Sequence, residues 1–159
     1  PSGDGRIMST DATGGIVALF LCTAHRAPMT LVAEAEFKAN FGIAGDRHAV
    51  SGSRRQVVLI EAEILRALDL DLGEVRENVT TAGIALMALP RGTRLQLGES
   101  GATVEITGPC DPCYRMDEIR PGLQAALEGR RGVTARVVSG GTVRAGDRVA
   151  VAQRQSALI

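Results

Sequence analysis

The hydrophobic positions of the chain fall into short runs divided by glycines, and most runs carry the period of a strand. Gly14–Cys22 (GGIVALFLC) is continuously apolar, the pattern of a buried strand. Leu31–Lys38 alternates, with Leu31, Ala33, Ala35 and Phe37 on one side and Val32, Glu34, Glu36 and Lys38 on the other, which predicts a half-buried strand. Arg55–Ile60 (RQVVLI) is β-branched and apolar. Thr93–Leu97 sets Leu95 and Leu97 against Arg94 and Gln96, and Ala102–Thr107 does the same with Val104 and Ile106. Val133–Val138 and Val143–Val151 complete the set, with Gly140-Gly141 between them predicting a hairpin turn.

Helical spacing is confined to two short stretches. Glu61–Leu68 places Ile64, Leu65 and Leu68 on one stripe. Pro121–Glu128 begins with proline at the favoured first position, stops before Gly129, and buries Leu123, Ala126 and Leu127. Many strands with glycine-rich turns and few helices predict a mostly β domain, a barrel or sandwich with small helical insertions. At 159 residues the chain suits one domain, a size that buries roughly 70% of its unfolded surface. Residues 1–13 are expected to be a loose leader, 14–152 the domain and 153–159 a tail, and Met8 is a candidate natural start.

Composition narrows the function. The longest apolar run, Ile16–Cys22, is strand-sized and far short of the roughly 20 residues that span a bilayer. Pro1–Ser9 is polar and lacks the apolar segment of a signal peptide. The formal charge is zero, so no general attraction to nucleic acid or membrane is expected. Among the 18 basic residues only Lys38 is a lysine. GC-rich coding would produce such a bias, yet the arginine fork also suits phosphate recognition. Phe20, Phe37, Phe41 and Tyr114 are the only aromatic residues, too few for the stacking platforms that hold single-stranded nucleic acid. Three cysteines and no secretory signal predict reduced thiols in the cytoplasm rather than a disulfide framework.

Candidate chemistry centres on Gly108-Pro109-Cys110-Asp111-Pro112-Cys113-Tyr114-Arg115, directly after a predicted strand. Two prolines stiffen this loop and would present its thiols at a fixed place. A thiolate there would be a nucleophile or a metal ligand, with Arg115 close by to balance its charge. The alternatives are a thioredoxin-like pair, half a zinc site completed by His25 and His48, a persulfide carrier or soft-metal ligand, and a merely structural turn. A second cluster, Gly42–Ala49 (GIAGDRHA) followed by Arg54 and Arg55, offers guanidinium and imidazole donors to an anion, or else forms a solvated turn. A third stretch, Arg76–Thr81 (RENVTT), could line a pocket or build a turn. Cys22, inside an apolar run, is expected to be buried.

In this order the segments resemble the MOSC family, the molybdenum cofactor sulfurase C-terminal domains. The resemblance is carried by GIAGDRHA (Gly42–Ala49), RQVVLIEAE (Arg55–Glu63), RENVTTAGIAL (Arg76–Leu86), LPRGTRLQLGE (Leu89–Glu99), the GPCDPC loop and RRGVTARVVSGGTVRAGDRV (Arg130–Val149). It implies a barrel-like fold and a cysteine, here Cys113, that carries sulfur or ligates the molybdenum of a pterin cofactor. Arg47, His48, Arg54, Arg55, Asn78 and Arg115 are the expected cofactor-binding residues, converging near Cys113. Neither a pyridoxal-phosphate desulfurase region nor an N-terminal β domain is expected, and the likeness is to the small free-standing bacterial members, some linked to reduction of N-hydroxylated bases. No intrinsic pyridoxal phosphate is expected. The implied partners are a pyridoxal-phosphate-dependent cysteine desulfurase or an electron-donor protein in trans, together with a small-molecule substrate. Two activities follow, a molybdenum-dependent reductase and a sulfur carrier.

Overall fold

Seven strands close into a barrel in the computed structural model, which describes residues 13–153. Met8 and, apart from Thr13 and Gln153, the leader and tail expected from the sequence lie outside the described residues. Around the barrel run β1 (Thr13–Leu21), β6 (Val79–Ala82), β5 (Val57–Glu61), β9 (Val133–Ser139), β8 (Thr103–Pro109), β7 (Arg94–Leu97) and β11 (Arg148–Gln153), which returns to β1. All neighbours are antiparallel except β5 and β6. Strand period explains the closure: Leu95 and Leu97, Val104 and Ile106, and Val133, Ala135 and Val137 all point into one core.

β5 reads as an unbroken apolar run because it is buried on both faces. Val57 and Leu59 enter the barrel core, whereas Ile60 joins a smaller outer cluster with Leu65, Leu70, Val75, Met116, Leu123 and Leu127. That second cluster is roofed by three short helices, α1 (Ala62–Ala67), α2 (Arg115–Ile119) and α3 (Leu123–Ala126). The first and third lie within the expected Glu61–Leu68 and Pro121–Glu128. The second, immediately after the thiol loop, has too few residues for a legible helical stripe.

Three expectations need correction, besides the run Val143–Val151, which divides at the turn Ala145-Gly146 into two strands. The alternating run Leu31–Lys38 is two strands, β2 (Thr30–Val32) on β1 and β3 (Glu34–Lys38) in a separate three-stranded sheet with β4 (Gly42–Ile43) and β10 (Gly141–Arg144). Alternation continues across the break, so the pattern could not show the change of partner. Ala35 and Phe37 are buried as expected, but Leu31 is exposed. Second, Gly140-Gly141 makes no hairpin: β10 pairs with β3, not β9. A Cβ at Gly140 would meet the Phe37 carbonyl oxygen at 2.7 Å, so the missing side chains permit a close crossing rather than a tight turn. Third, Val79–Ala82 is a barrel strand although it reads as polar, because Thr80 and Thr81 are fully buried in it. Ala35, Phe37, Ile43 and Val143 of the small sheet join the barrel core, so the two sheets share one interior.

Gly132, at the start of β9, sits in the left-handed region at φ 100°, where a Cβ would meet the Leu59 carbonyl oxygen at 2.2 Å. Gly132→Ala should therefore destabilise the barrel by about 2 kcal/mol or more, read as a lower midpoint in urea unfolding. An unchanged midpoint would show that β5 and β9 can separate freely at this point.

Candidate functional site

The thiol loop is anchored on three sides. The Cys110 amide donates to the Gly132 carbonyl at 2.8 Å, the Pro112 carbonyl accepts from Gln124 Nε2 at 3.3 Å, and the Cys113 carbonyl accepts from the Met116 amide at 2.9 Å. These bonds turn Cys110 inward and leave Cys113 exposed. Arg55 Nη2 lies 3.8 Å from the buried Cys110 sulfur. Among the described residues no three of His, Cys, Asp or Glu gather to hold a metal ion, so the zinc alternative lacks a ligand set. A thioredoxin-like βαβ frame is absent as well, since β8 runs directly into the loop within a barrel.

Facing this loop is the segment that follows β1, held by arginines. Arg76 donates from Nη1 to the Ala27 carbonyl at 2.7 Å and from Nη2 to the Cys22 sulfur at 3.1 Å. Arg47 Nη1 lies 2.8 Å from His25 Nδ1, and Arg26 pairs with Glu118 of α2 at 3.0 Å. Loss of hydration, followed by the charges of Arg47, Arg115, Arg26 and Arg76, holds the His25 imidazole below its ordinary range. His25 is therefore neutral at neutral pH. Because a guanidinium only donates, Nδ1 accepts and the imidazole proton sits on Nε2. Arg26 and Arg76 both adopt positive φ, at 62° and 69°. Such strain in non-glycine residues concentrates where function constrains the backbone. A cavity of about 510 Å³ opens here between Arg26, Arg76 and Arg115, with Asp71, Glu74 and Glu118 also in its lining.

Beneath this cluster lies a buried polar knot. Asp46 accepts from the Cys22 amide at 2.6 Å, from Asn78 Nδ2 at 3.0 Å, and from His48 through its amide at 3.0 Å and its Nδ1 at 3.2 Å. Burial alone would raise the Asp46 carboxyl, but the bonds from His48 and Cys22 outweigh it and hold the group below the usual carboxylate range. Asn78 also donates to the Phe20 carbonyl at 3.1 Å and accepts from the Val58 amide at 3.0 Å.

The six expected cofactor-binding residues thus divide. Arg47 and Arg115 meet around His25 although they are far apart in sequence. Arg55 reaches the same loop from the Cys110 side. His48 and Asn78 are committed to Asp46, and Asn78 has its amide hydrogens and carbonyl occupied inside the fold. Arg54 is not in the cluster, and lines a neighbouring groove with Arg91 and Thr107. Sequence reasoning gave no sign of Arg26, weighed His25 only as a zinc ligand, and weighed Arg76 only as part of the RENVTT stretch; the turn after β1 brings the three together. The fourfold gathering of guanidiniums, with Arg115 Nε buried and unpartnered among the described residues, fits a bound anion such as a phosphate or an anionic pterin.

Comparison with known proteins agrees with the fold. The family model of the MOSC domain matches residues 43–150. The crystal structure of the YuaD protein from Bacillus subtilis is similar at a TM-score of 0.79 and 23% identity, covering 91% of this chain and 98% of that one. YiiM from Geobacillus stearothermophilus is similar at 0.73 and 18% identity, covering 92% and 78% respectively. YiiM from Escherichia coli gives 0.64 and 18%, covering 89% and 71%. No functionally curated protein matches the chain in sequence. No helix among the described residues is long and apolar enough to cross a membrane.

Two measurements check this electrostatic picture. Arg47→Gln removes a positive charge from beside His25, which favours the imidazolium, so the His25 pKa should rise in an NMR titration. An unchanged value would mean that Arg47 does not face His25 in solution. Asp46→Asn should cost about 2 kcal/mol at neutral pH, because the knot loses charge-assisted bonds. The folded-state pKa of Asp46 is depressed, so its contribution is present above the unfolded value of about 3.9 and is lost as pH falls through the folded value. The wild-type and variant stability curves should therefore converge in acid; parallel curves would refute the assignment.

Proposed function

The chain belongs to the MOSC domain family, and from that footing we propose that it binds molybdenum cofactor through Cys113 and reduces N-hydroxylated substrates. The observation that carries this reading is the exposed Cys113 thiol on an anchored loop, two residues before Arg115, whose Nε is buried and unpartnered among the described residues. Thiolate is a soft ligand suited to molybdenum, and one protein sulfur suffices where the pterin brings its own. When bound, the cofactor supplies a two-electron centre for the reaction R–NHOH + 2e⁻ + 2H⁺ → R–NH₂ + H₂O.

The chain's own residues then have separate tasks. Arg47 and Arg115, with Arg26 and Arg76, hold the anionic parts of the cofactor through their forks. Arg55 steadies the loop from behind at Cys110. His25, neutral with its proton on Nε2, offers a hydrogen-bond donor of no charge within a cluster of permanent cations. The carboxylates Asp71, Glu74 and Glu118 in the cavity lining favour a basic substrate.

One observation favours a second reading. A thiol as exposed as Cys113 can be reached by another protein, as a sulfur carrier fed by a cysteine desulfurase requires. Metal and pterin analysis separates the two. Protein made in a cofactor-competent host should carry molybdenum and pterin, and Cys113→Ser should lose them while keeping its unfolding midpoint. Arg115→Gln should lower the occupancy roughly tenfold. A transferable persulfide on Cys113 with no pterin would establish the carrier instead. Full molybdenum content in Cys113→Ser, with loss in Cys110→Ser, would reverse the assignment within the loop.

A further inference from the structure

The outer surface of β7, β8 and β9 carries a groove that the proposed chemistry does not use. Two cavities of about 470 Å³ each share Arg54, Arg91 and Thr107, and so run together. Arg94, Glu105 and Arg136 stand in register across the three strands, with both guanidiniums on the one carboxylate at 3.1 and 3.2 Å. The Thr107 hydroxyl lies 2.8 Å from that of Thr134 and donates to the Arg54 carbonyl, which pins the arginine-bearing loop to the wall. Arg91 packs over Gly108, where even a Cβ would come within 3.2 Å of its guanidinium.

The charge balance of this face is lopsided. Arg54, Arg55 and Arg91 make no ion pair among the described residues, and Glu105 alone serves both Arg94 and Arg136. Apart from Asp111 at one end, no other carboxylate lines the groove, in a chain whose formal charge is zero. The groove also adjoins the thiol loop. Arg55 is the residue that touches the Cys110 sulfur, and Asp111 lies two residues before Cys113, at most about 7 Å of extended chain.

We propose that this groove docks the acidic face of an electron-transfer protein, which delivers electrons beside Cys113. The proposal rests on the reductase reading, which needs an electron source in trans. An open, polar surface with an excess of arginines over carboxylates matches the small and transient interfaces of redox partners, where charge complementarity sets the encounter rate. A small ligand would want an enclosed and mainly apolar pocket, whereas this groove is open and charged, with only Ile106 and Pro109 as apolar side chains in its lining. Single-stranded nucleic acid would want aromatic platforms, and the groove has none.

A plant-type [2Fe–2S] ferredoxin, acidic and one-electron reducing, is the probe, used with the full chain in its molybdenum-loaded and metal-free forms. Wild type should bind it at low ionic strength and lose most of that affinity at about 0.2 M salt. Arg91→Glu/Arg136→Gln should weaken binding roughly tenfold or more, and Arg91→Lys should retain it. Arg91→Glu alone, on an exposed side chain, serves if the double variant does not fold. No salt-sensitive association in wild type, or equal affinity in the charge-altered variant, overturns the proposal. Tighter binding of a dT20 oligonucleotide than of ferredoxin would overturn it in favour of nucleic acid. The reductase reading fails separately, if the protein carries no molybdenum and dithionite drives no substrate reduction, because ferredoxin association is read on the metal-free form as well.

Discussion

Removing an ionised carboxylate from water costs several kcal/mol unless hydrogen bonds replace its hydration, and this domain buries Asp46 where β1 ends and β6 begins. Asp46 meets the requirement with four donors, drawn from the residue after β1, from the start of β6 and from its own turn. Each donor is therefore held in place by the same charge. Asn78 extends the constraint to β5 through the Val58 amide and to β1 through the Phe20 carbonyl. The loop after β1, the Gly42–Ala49 turn and the β5–β6 pair cannot move independently without exposing or orphaning Asp46.

This frame explains how four like charges stay together. Guanidiniums crowded around His25 repel one another, and some neighbours temper the repulsion: Glu118 for Arg26, the Ala27 carbonyl for Arg76, and the neutral imidazole for Arg47. What remains contributes, after lost hydration, to the lowered pKa of His25. An anion placed among them would offset that repulsion.

The sequence displayed the barrel well because barrel strands bury one face and alternate. Leu95–Leu97 and Val104–Ile106 could be read directly, and the unbroken run of β5 pointed to a strand with two buried faces. It concealed β6, whose Thr80 and Thr81 are buried polar residues, and it concealed the split of Leu31–Lys38 between two sheets. The motif segments pointed to Cys113, Arg47 and Arg115, and the structure sets the two arginines near His25 and leaves Cys113 exposed. They also suggested Asn78, whose amide turns out to be spent on Asp46 and the strands. His25 and Arg26 carried no motif at all; only the turn after β1, with its left-handed Arg26, brings them to the cluster. Local period reveals faces, but convergence depends on loops whose course is set by distant partners.

The two cysteines of the loop show how such partners divide a motif. The CxxC spacing by itself does not separate Cys110 from Cys113; only the family resemblance singled out Cys113. In the fold, the Cys110 amide continues the β8–β9 ladder by bonding to Gly132, which directs its side chain inward toward Arg55. Pro112 cannot donate to any ladder, and its carbonyl is taken by Gln124, so the chain leaves the sheet there. Cys113 consequently opens the turn into α2 with its thiol in solvent. The difference between the thiols is thus fixed by the backbone, one still inside the sheet and the other already outside it. Any chemistry that needs an accessible sulfur falls to Cys113, while Cys110 contacts Arg55 at the edge of the arginine groove.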